Sequence, residues 1–131
     1  MGSVIGIVAG SDVRDVSPPI AAILTREDQT ISGGANVTSK SLATGNVTID
    51  CGGRPNQYIT NGGTFTITAP ANDGSCILLV TNNASAGTVN FSGFSVGSAT
   101  GDALTTTNGH KFSIFIWRTN STAGYRIAAH Q

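Results

Sequence analysis

The sequence predicts an all-β protein, a β-sandwich or jelly roll of about seven to nine short antiparallel strands with an extended N-terminal arm. Apolar and polar residues alternate in several short runs, and clusters of Gly, Asn, Asp and Pro separate these runs. No window of about 11 residues carries the apolar spacing of an amphipathic helix. Because 131 residues is the usual size of one domain, we expect an arm over residues 1–20 and a single domain over residues 21–131.

The first 20 residues mix small apolar residues with glycines and two prolines. Prolines lack a backbone donor and favour extended geometry, so this segment cannot form a core of its own. It also lacks the basic start of a signal peptide. We expect its apolar side chains to be buried against a partner. The residues predicted to make that contact are Val4, Ile5, Ile7, Val8, Pro18 and Pro19.

The clearest strand pattern covers residues 64–69, where Phe65, Ile67 and Ala69 share one face and threonines occupy the other. Turn-forming residues lie on both sides of this run. Weaker patterns predict strands at residues 46–51, 57–60 and 103–106, and residues 21–24 fit either a strand or a short helix.

Residues 76–80 are apolar on both faces, which is typical of a strand in the middle of a sheet. The turn at residues 82–87 leads into a second alternating run at residues 88–91, and this order predicts a β-hairpin.

Residues 111–118 predict another central strand, with Phe112, Ile114 and Ile116 on one face and Phe115 and Trp117 on the other. A polar turn connects this run to the last predicted strand, and the two form a second expected hairpin.

Charge excludes several classes of partner. Seven basic and seven acidic residues cancel, and the sequence pI is about 6.7. Binding to phosphate backbones or anionic lipid needs clustered Lys and Arg, so we expect no nucleic-acid partner. No apolar run approaches the roughly 18 residues that span a bilayer, so we expect no membrane partner.

The chain carries no recognisable catalytic motif. Asp50, Asp73 and Asp102 stand next to or near glycines, which is typical of turns, and His110 and His130 follow no nucleophile motif. Two cysteines and two distant histidines fit no common metal-binding spacing. We therefore expect no enzyme activity, no cofactor and no metal.

Cys51 and Cys76 leave three alternatives open. A bond between them would close a loop and stabilise the fold by roughly 3 kcal/mol. Buried free thiols are the second alternative. The third is a bond to a neighbouring subunit, for which Cys51 is the better candidate because its neighbours are typical of an exposed loop.

The aromatic residues are predicted to fill the core or a subunit interface. Trp117 and Tyr125 lie near strand ends and could instead line a carbohydrate platform. The phenylalanines expected in the core are Phe65, Phe91, Phe94, Phe112 and Phe115.

Residues 62–70, with the pattern Gly-Gly-Thr-Phe-Thr-Ile-Thr-Ala-Pro, are followed by the apolar strand within residues 74–82. Together with the closing run at residues 108–128, they resemble modules of tailed-bacteriophage structural proteins. The resemblance covers roughly residues 60–131 and consists of an order of strands and turns. It implies a β-sandwich or jelly-roll domain of a virion, found in capsid decoration proteins and in tail or neck fibres, often as trimers.

This resemblance implies a virion role and does not separate head from tail. The short chain and the extended arm, which could add a strand to a neighbour's sheet, favour a capsid decoration or minor capsid protein that binds and reinforces the major capsid lattice. Its expected partners are the major capsid protein and copies of itself, as a homo-oligomer such as a trimer. Its expected location is the outer surface of the virion, after synthesis in the host cytoplasm. The alternative is a tail, neck or collar fibre domain that binds the host surface.

Overall fold

The computed structural model describes residues 36–96 and 100–130. These ranges contain strands and no helix, so the all-β prediction is confirmed. The arm at residues 1–20, its six predicted contact residues, the element at residues 21–24 and the predicted domain boundary lie outside the described residues. The strands are β1 (Lys40–Ser41), β2 (Val47–Thr48), β3 (Asn56–Asn61), β4 (Phe65–Thr68), β5 (Gly74–Asn82), β6 (Val89–Ser92), β7 (Lys111–Thr119) and β8 (Thr122–His130).

The strands form two sheets. The five-stranded sheet has the order β1-β3-β5-β7-β8, and the three-stranded sheet has the order β2-β4-β6. The first six strands alternate between the two sheets. Within each sheet these strands pair in parallel, β1 with β3 and β3 with β5, and β2 with β4 and β4 with β6. The chain thus coils through both sheets, and the antiparallel strands β7 and β8 extend the larger sheet.

The expected antiparallel arrangement is therefore only partly right, since it holds for the pairs β5–β7 and β7–β8. Four of the six strand pairs are parallel. The predicted hairpin of residues 76–80 and 88–91 does not form, because β5 and β6 belong to different sheets. Residues 103–106 form no strand. A side-chain period of two identifies the faces of a strand but carries no information on the direction of its neighbour.

The hydrophobic core lies between the inward faces of the two sheets. Alternate residues of each strand point inward, so both sheets contribute side chains that are almost fully buried. The five-stranded sheet supplies Ile59, Leu78, Val80, Phe112, Ile114 and Ile116, and the three-stranded sheet supplies Phe65 and Ile67. The faces predicted for residues 64–69 and 111–118 are thus confirmed.

Two buried asparagines stack where the chain leaves the larger sheet. Asn61 and Asn82 are paired in register, and they are 0% and 2% exposed. Asn61 donates from Nδ2 to Asn82 Oδ1 at 3.0 Å and to the Gly87 carbonyl at 2.9 Å. Asn82 donates from Nδ2 to the carbonyls of Thr105 at 2.7 Å and Thr107 at 3.1 Å. These bonds satisfy the buried amides and tie successive turns of the coil together.

The second predicted hairpin is confirmed. β7 and β8 pair along their full lengths, from Thr119 opposite Thr122 to Lys111 opposite His130. The two connecting residues, Asn120 and Ser121, have φ values of 47° and 65°. Positive φ at both central positions is typical of a type I′ turn, whose twist matches that of the flanking strands.

Cys51 and Cys76 form a disulfide that joins the turn before β3 to strand β5. Cys51 is only 9% exposed, so the prediction that it lies in an exposed loop is wrong. Its side chain packs beneath Gly74, the first residue of β5. If Gly74 carried a Cβ atom, that atom would lie 3.4 Å from the Cβ of Cys51. With both thiols consumed in this bond, the structure contains neither the free thiols nor the link to a neighbour that the sequence left open.

Candidate functional site

An exposed apolar patch covers the outer face of the five-stranded sheet. Its side chains come from the positions of β3, β5 and β7 that alternate with the core positions. Four of the six large hydrophobic residues that are exposed in the described ranges belong to it. We call the following residues the apolar patch: Tyr58 (45% exposed), Ile77 (38%), Phe115 (46%), Trp117 (37%) and the partly exposed Leu79.

The strand register makes this patch continuous. Ile77 lies directly opposite Phe115, and Tyr58 lies directly opposite Leu79. Side chains at opposed positions of neighbouring strands are about 5 Å apart at Cβ, so the members of each pair are direct neighbours on the face. Contiguous exposed apolar surface of this kind is typical of a binding surface, whereas single scattered residues are not.

Trp117 lies across the neighbouring strand because that strand has a glycine at this point. Gly124 is its partner in β8. A Cβ at Gly124 would lie 2.5 Å from Trp117 Cζ2 and 2.7 Å from Cε2, so the indole occupies the space of the missing side chain. The ring is thereby held against the sheet while part of its surface stays open to solvent.

A shallow groove of about 330 Å³ runs along this part of the patch. Apolar side chains form most of its wall, and Asn56 and Ser75 add an amide and a hydroxyl group. This volume lies at the lower end of the range of about 300–1,000 Å³ seen for small-molecule sites. The other lining residues are Pro55, Cys76, Ile77, Phe115, Ile116 and Trp117.

The strands of the five-stranded sheet carry more basic than acidic residues. Its strands contain four basic residues and no Asp or Glu. Lys111 and Arg126 are exposed on the outer face beside the patch, since Arg126 lies opposite Phe115 and Lys111 follows the same alternation along β7. Arg118 is engaged elsewhere, 4.0 Å from Asp73. The patch therefore has a basic margin along β7 and β8.

The long edge strand β8 is bonded at several points by residues that precede β7. The amides of Ser95 and Val96 donate to the Ala123 carbonyl at 2.9 and 3.1 Å. Ile127 donates to the Thr100 carbonyl at 2.7 Å and accepts from Asp102 at 3.0 Å. Backbone groups that are already bonded in this way cannot pair with a further strand.

The predicted aromatic residues separate into three groups. Phe65 and Phe112 are buried, whereas Phe115, expected in the core, is exposed because odd-numbered positions of β7 point outward. Phe91 and Phe94 are partly buried and contact Tyr125, whose ring stacks on Phe91 at 3.9 Å.

Tyr125 therefore does not share a surface with Trp117, since alternation along β7 and β8 puts them on opposite faces of the sheet. The carbohydrate platform that was the alternative for these two residues is not formed. The sequence did not predict that Tyr58 and Ile77 are exposed on the outer face. For Ile77 the reason is that an apolar run such as residues 76–80 is also expected when both faces of a sheet are covered.

The acidic residues and histidines are dispersed. Asp50 accepts from the Gly52 amide at 3.0 Å, and Asp102 accepts from the Ala129 amide at 2.9 Å. His110 Nδ1 lies 2.9 Å from Thr105 Oγ1, and His130 Nε2 lies 2.8 Å from Ser113 Oγ. Within the described ranges, no three His, Cys, Asp or Glu residues come together as metal ligands, and no helix could cross a membrane.

The chain matches no known family model, and searches of curated proteins and of solved structures found no match. The geometry of the outer face and the order of strands and turns are therefore the basis for a functional proposal.

Proposed function

We propose that this chain is a bacteriophage virion structural protein, a capsid decoration or minor capsid protein that binds the outside of the major capsid lattice and reinforces it. The observation that carries the proposal is the apolar patch, which gathers four exposed large hydrophobic side chains on one face of a small domain. The protein acts by burial and performs no chemistry. Its partners are the major capsid protein and copies of itself, in a homo-oligomer such as a trimer.

The free energy available from the patch suits a protein that binds in many copies. Complete burial of a large apolar side chain stabilises by about 1.5–3 kcal/mol. The four side chains are 37–46% exposed, so covering them contributes about 2.5–5 kcal/mol in total at that rate. A contact of this strength, repeated over a lattice, holds a coat without requiring tight binding by any single copy.

The resemblance of residues 60–131 to tailed-phage modules supports the virion as the location, on the outer surface of the particle after synthesis in the host cytoplasm. The parallel coil departs from the sandwich or jelly roll that the resemblance implies. What supports the class of protein is the order of strands and turns, on which the resemblance rests. The apolar patch supports the mode of binding.

A second candidate function is a tail, neck or collar fibre domain that binds a host-surface polymer. The observation that favours it is the indole of Trp117, held over Gly124 beside a groove with an amide and a hydroxyl group. An aromatic face with nearby hydrogen-bonding groups can stack on the C–H face of a sugar ring while its hydroxyls are bound.

The two candidates are separated by variants of the full chain. Phe115→Ser removes an exposed apolar side chain, and we expect about tenfold weaker binding to particles that lack the protein, since about 1.4 kcal/mol is tenfold in affinity. Asn90→Ala, on an exposed position of the three-stranded sheet, is the control and should bind normally. Unchanged binding of Phe115→Ser would contradict the proposal.

Trp117→Ala tests the second candidate. If binding to the host polymer is lost while the variant still occupies the particle normally, the fibre function is supported and the reinforcing role is not.

A further inference from the structure

We propose that the groove beside Trp117 is one end of a longer binding site, and that this site takes an acidic polysaccharide whose sugars carry carboxylate groups. The other end of the site is the loop of residues 50–54 together with β1. The inference rests on the second candidate function, to which it gives a class of ligand, and the reinforcing role does not require it.

Three shallow depressions adjoin one another across the five-stranded sheet. The groove of about 330 Å³ beside Trp117 reaches Pro55, which also lines a second depression of about 210 Å³. The second shares Thr38, Gly53 and Arg54 with a third depression of about 520 Å³ next to β1. The lining residues belong to the neighbouring strands β1, β3, β5 and β7 and to the loops before β1 and β3. The path therefore crosses three strand spacings, or about 14 Å, and accommodates more than one unit of a polymer.

The two ends of the path differ in chemistry. Phe115 and Trp117 present aromatic rings at one end, and Lys40 and Arg54 line the depression at the other. Among the described residues that line the three depressions there is no Asp or Glu. An aromatic ring stacks on the C–H face of a sugar, and a guanidinium group pairs with a carboxylate through parallel hydrogen bonds. Hydroxyl and amide groups that can bind sugar hydroxyls come from Thr38, Ser39, Ser41, Asn56 and Ser75.

A buried side chain holds the loop of residues 50–54. Gln57 is 3% exposed and donates from Nε2 to the carbonyls of Asp50 at 2.9 Å and Arg54 at 2.8 Å. Arg54 in turn donates from Nη1 to the Thr38 carbonyl at 2.8 Å. A guanidinium group has five N–H donors, so most of them are left for a ligand.

The disulfide connects the two ends of the site. Cys51 belongs to the loop, and its partner Cys76 lines the groove beside Trp117. The basic end is therefore covalently fixed to the strand that forms the wall of the aromatic end. A site that is already held in its binding geometry loses less conformational entropy when a ligand binds.

One carboxylate opposes the proposed ligand. A Cβ at Gly53 would lie 3.5 Å from Asp50 Oδ2 and 3.8 Å from Lys40 Nζ, so both charged groups lie on this side of the loop. Asp50 Oδ1 accepts from the Gly52 amide, and an asparagine oxygen could accept the same bond. Asp50→Asn should therefore strengthen binding of an anion, which a merely structural role of the loop does not predict.

Calorimetric titration of the full chain with oligomers of alginate, a polymer of uronic acids, tests the proposal. The wild type should bind them saturably, and about tenfold more tightly than oligomers whose carboxyl groups have been reduced to alcohols. At low salt, Arg54→Gln should weaken alginate binding about tenfold, and Asp50→Asn should strengthen it about twofold. Lys111→Gln removes a positive charge outside the site and should change binding by less than about twofold.

Trp117→Ala tests whether one chain contacts both ends, and it should also weaken alginate binding about tenfold. Unchanged binding by this variant, or equal weakening by Lys111→Gln and Arg54→Gln, would overturn the proposed site. Equal binding of alginate and its reduced form would overturn the acidic ligand, although the second candidate function would stand because a sugar polymer still binds. Binding of neither would overturn the proposal without affecting the reinforcing role, which is measured by occupancy of the particle.

Discussion

Replacing Asn82 with alanine tests the bonds that hold successive turns of the coil together. The substitution removes two donors to the carbonyls of Thr105 and Thr107 and the acceptor for Asn61. The site is 2% exposed, so water does not freely replace these partners. At about 0.5–1.5 kcal/mol per hydrogen bond, with carbonyl groups left unpaired, the expected loss is about 2–4 kcal/mol of unfolding free energy.

The assay is urea denaturation of the full-length chain, followed by the fluorescence of Trp117. With a slope of about 1–3 kcal/mol per molar urea, a loss of this size lowers the midpoint by about 1–2 M. Asn90→Ala is the matched control, because Asn90 is exposed in β6, and it should change stability by less than about 0.5 kcal/mol.

Asn82→Asp sharpens the test because aspartate keeps the acceptor for Asn61 but loses the two donors. It should cost at least as much as Asn82→Ala, since it places an anion beside two carbonyl oxygens. Wild-type stability of the Asp variant, or a loss below about 1 kcal/mol for Asn82→Ala, would refute the assignment of the amide as a structural donor.

Three further predictions concern the same fold. Ile114→Asp places a charge at a site that is 0% exposed and should prevent folding, whereas cooperative wild-type-like melting would refute the central position of β7. Ser121→Gly should raise stability by about 0.5–1 kcal/mol, because glycine adopts positive φ without strain; a loss in thermal melts would contradict the turn assignment. Replacing both Cys51 and Cys76 with serine should lower stability by about 3 kcal/mol. Alkylated wild-type protein should run as a monomer on reducing and non-reducing gels, and multimers without reductant would contradict an internal bond.

The sequence predicted which face of β4 and of β7 is buried, because alternation within residues 64–69 and 111–118 reports directly on burial. It did not predict strand direction, since a hairpin and a coil through two sheets require the same alternation and the same turns. One pattern could have indicated the coil. Thr60-Asn61-Gly62 and Thr81-Asn82-Asn83 place a Thr-Asn pair at the ends of β3 and β5, which are neighbours in the five-stranded sheet, and the paired asparagines stack in the structure. A repeat of this kind is expected where successive turns lie in register.

The candidate site was predictable in part. Alternation put Phe115 and Trp117 on the face opposite Phe112, Ile114 and Ile116, and the structure shows that face exposed. Whether the outer face of a sheet is covered depends on a third layer, which the pattern of a single strand does not report. The disulfide was one of three alternatives, because the proximity of two cysteines 25 residues apart depends on the coil.

Cryo-electron microscopy of the intact particle tests the central claim most directly. We predict density for this chain on the outer surface of the head, with Phe115 and Trp117 buried against a neighbouring protein. A particle in which the chain is absent, or in which the apolar patch faces solvent in every copy, would contradict the account.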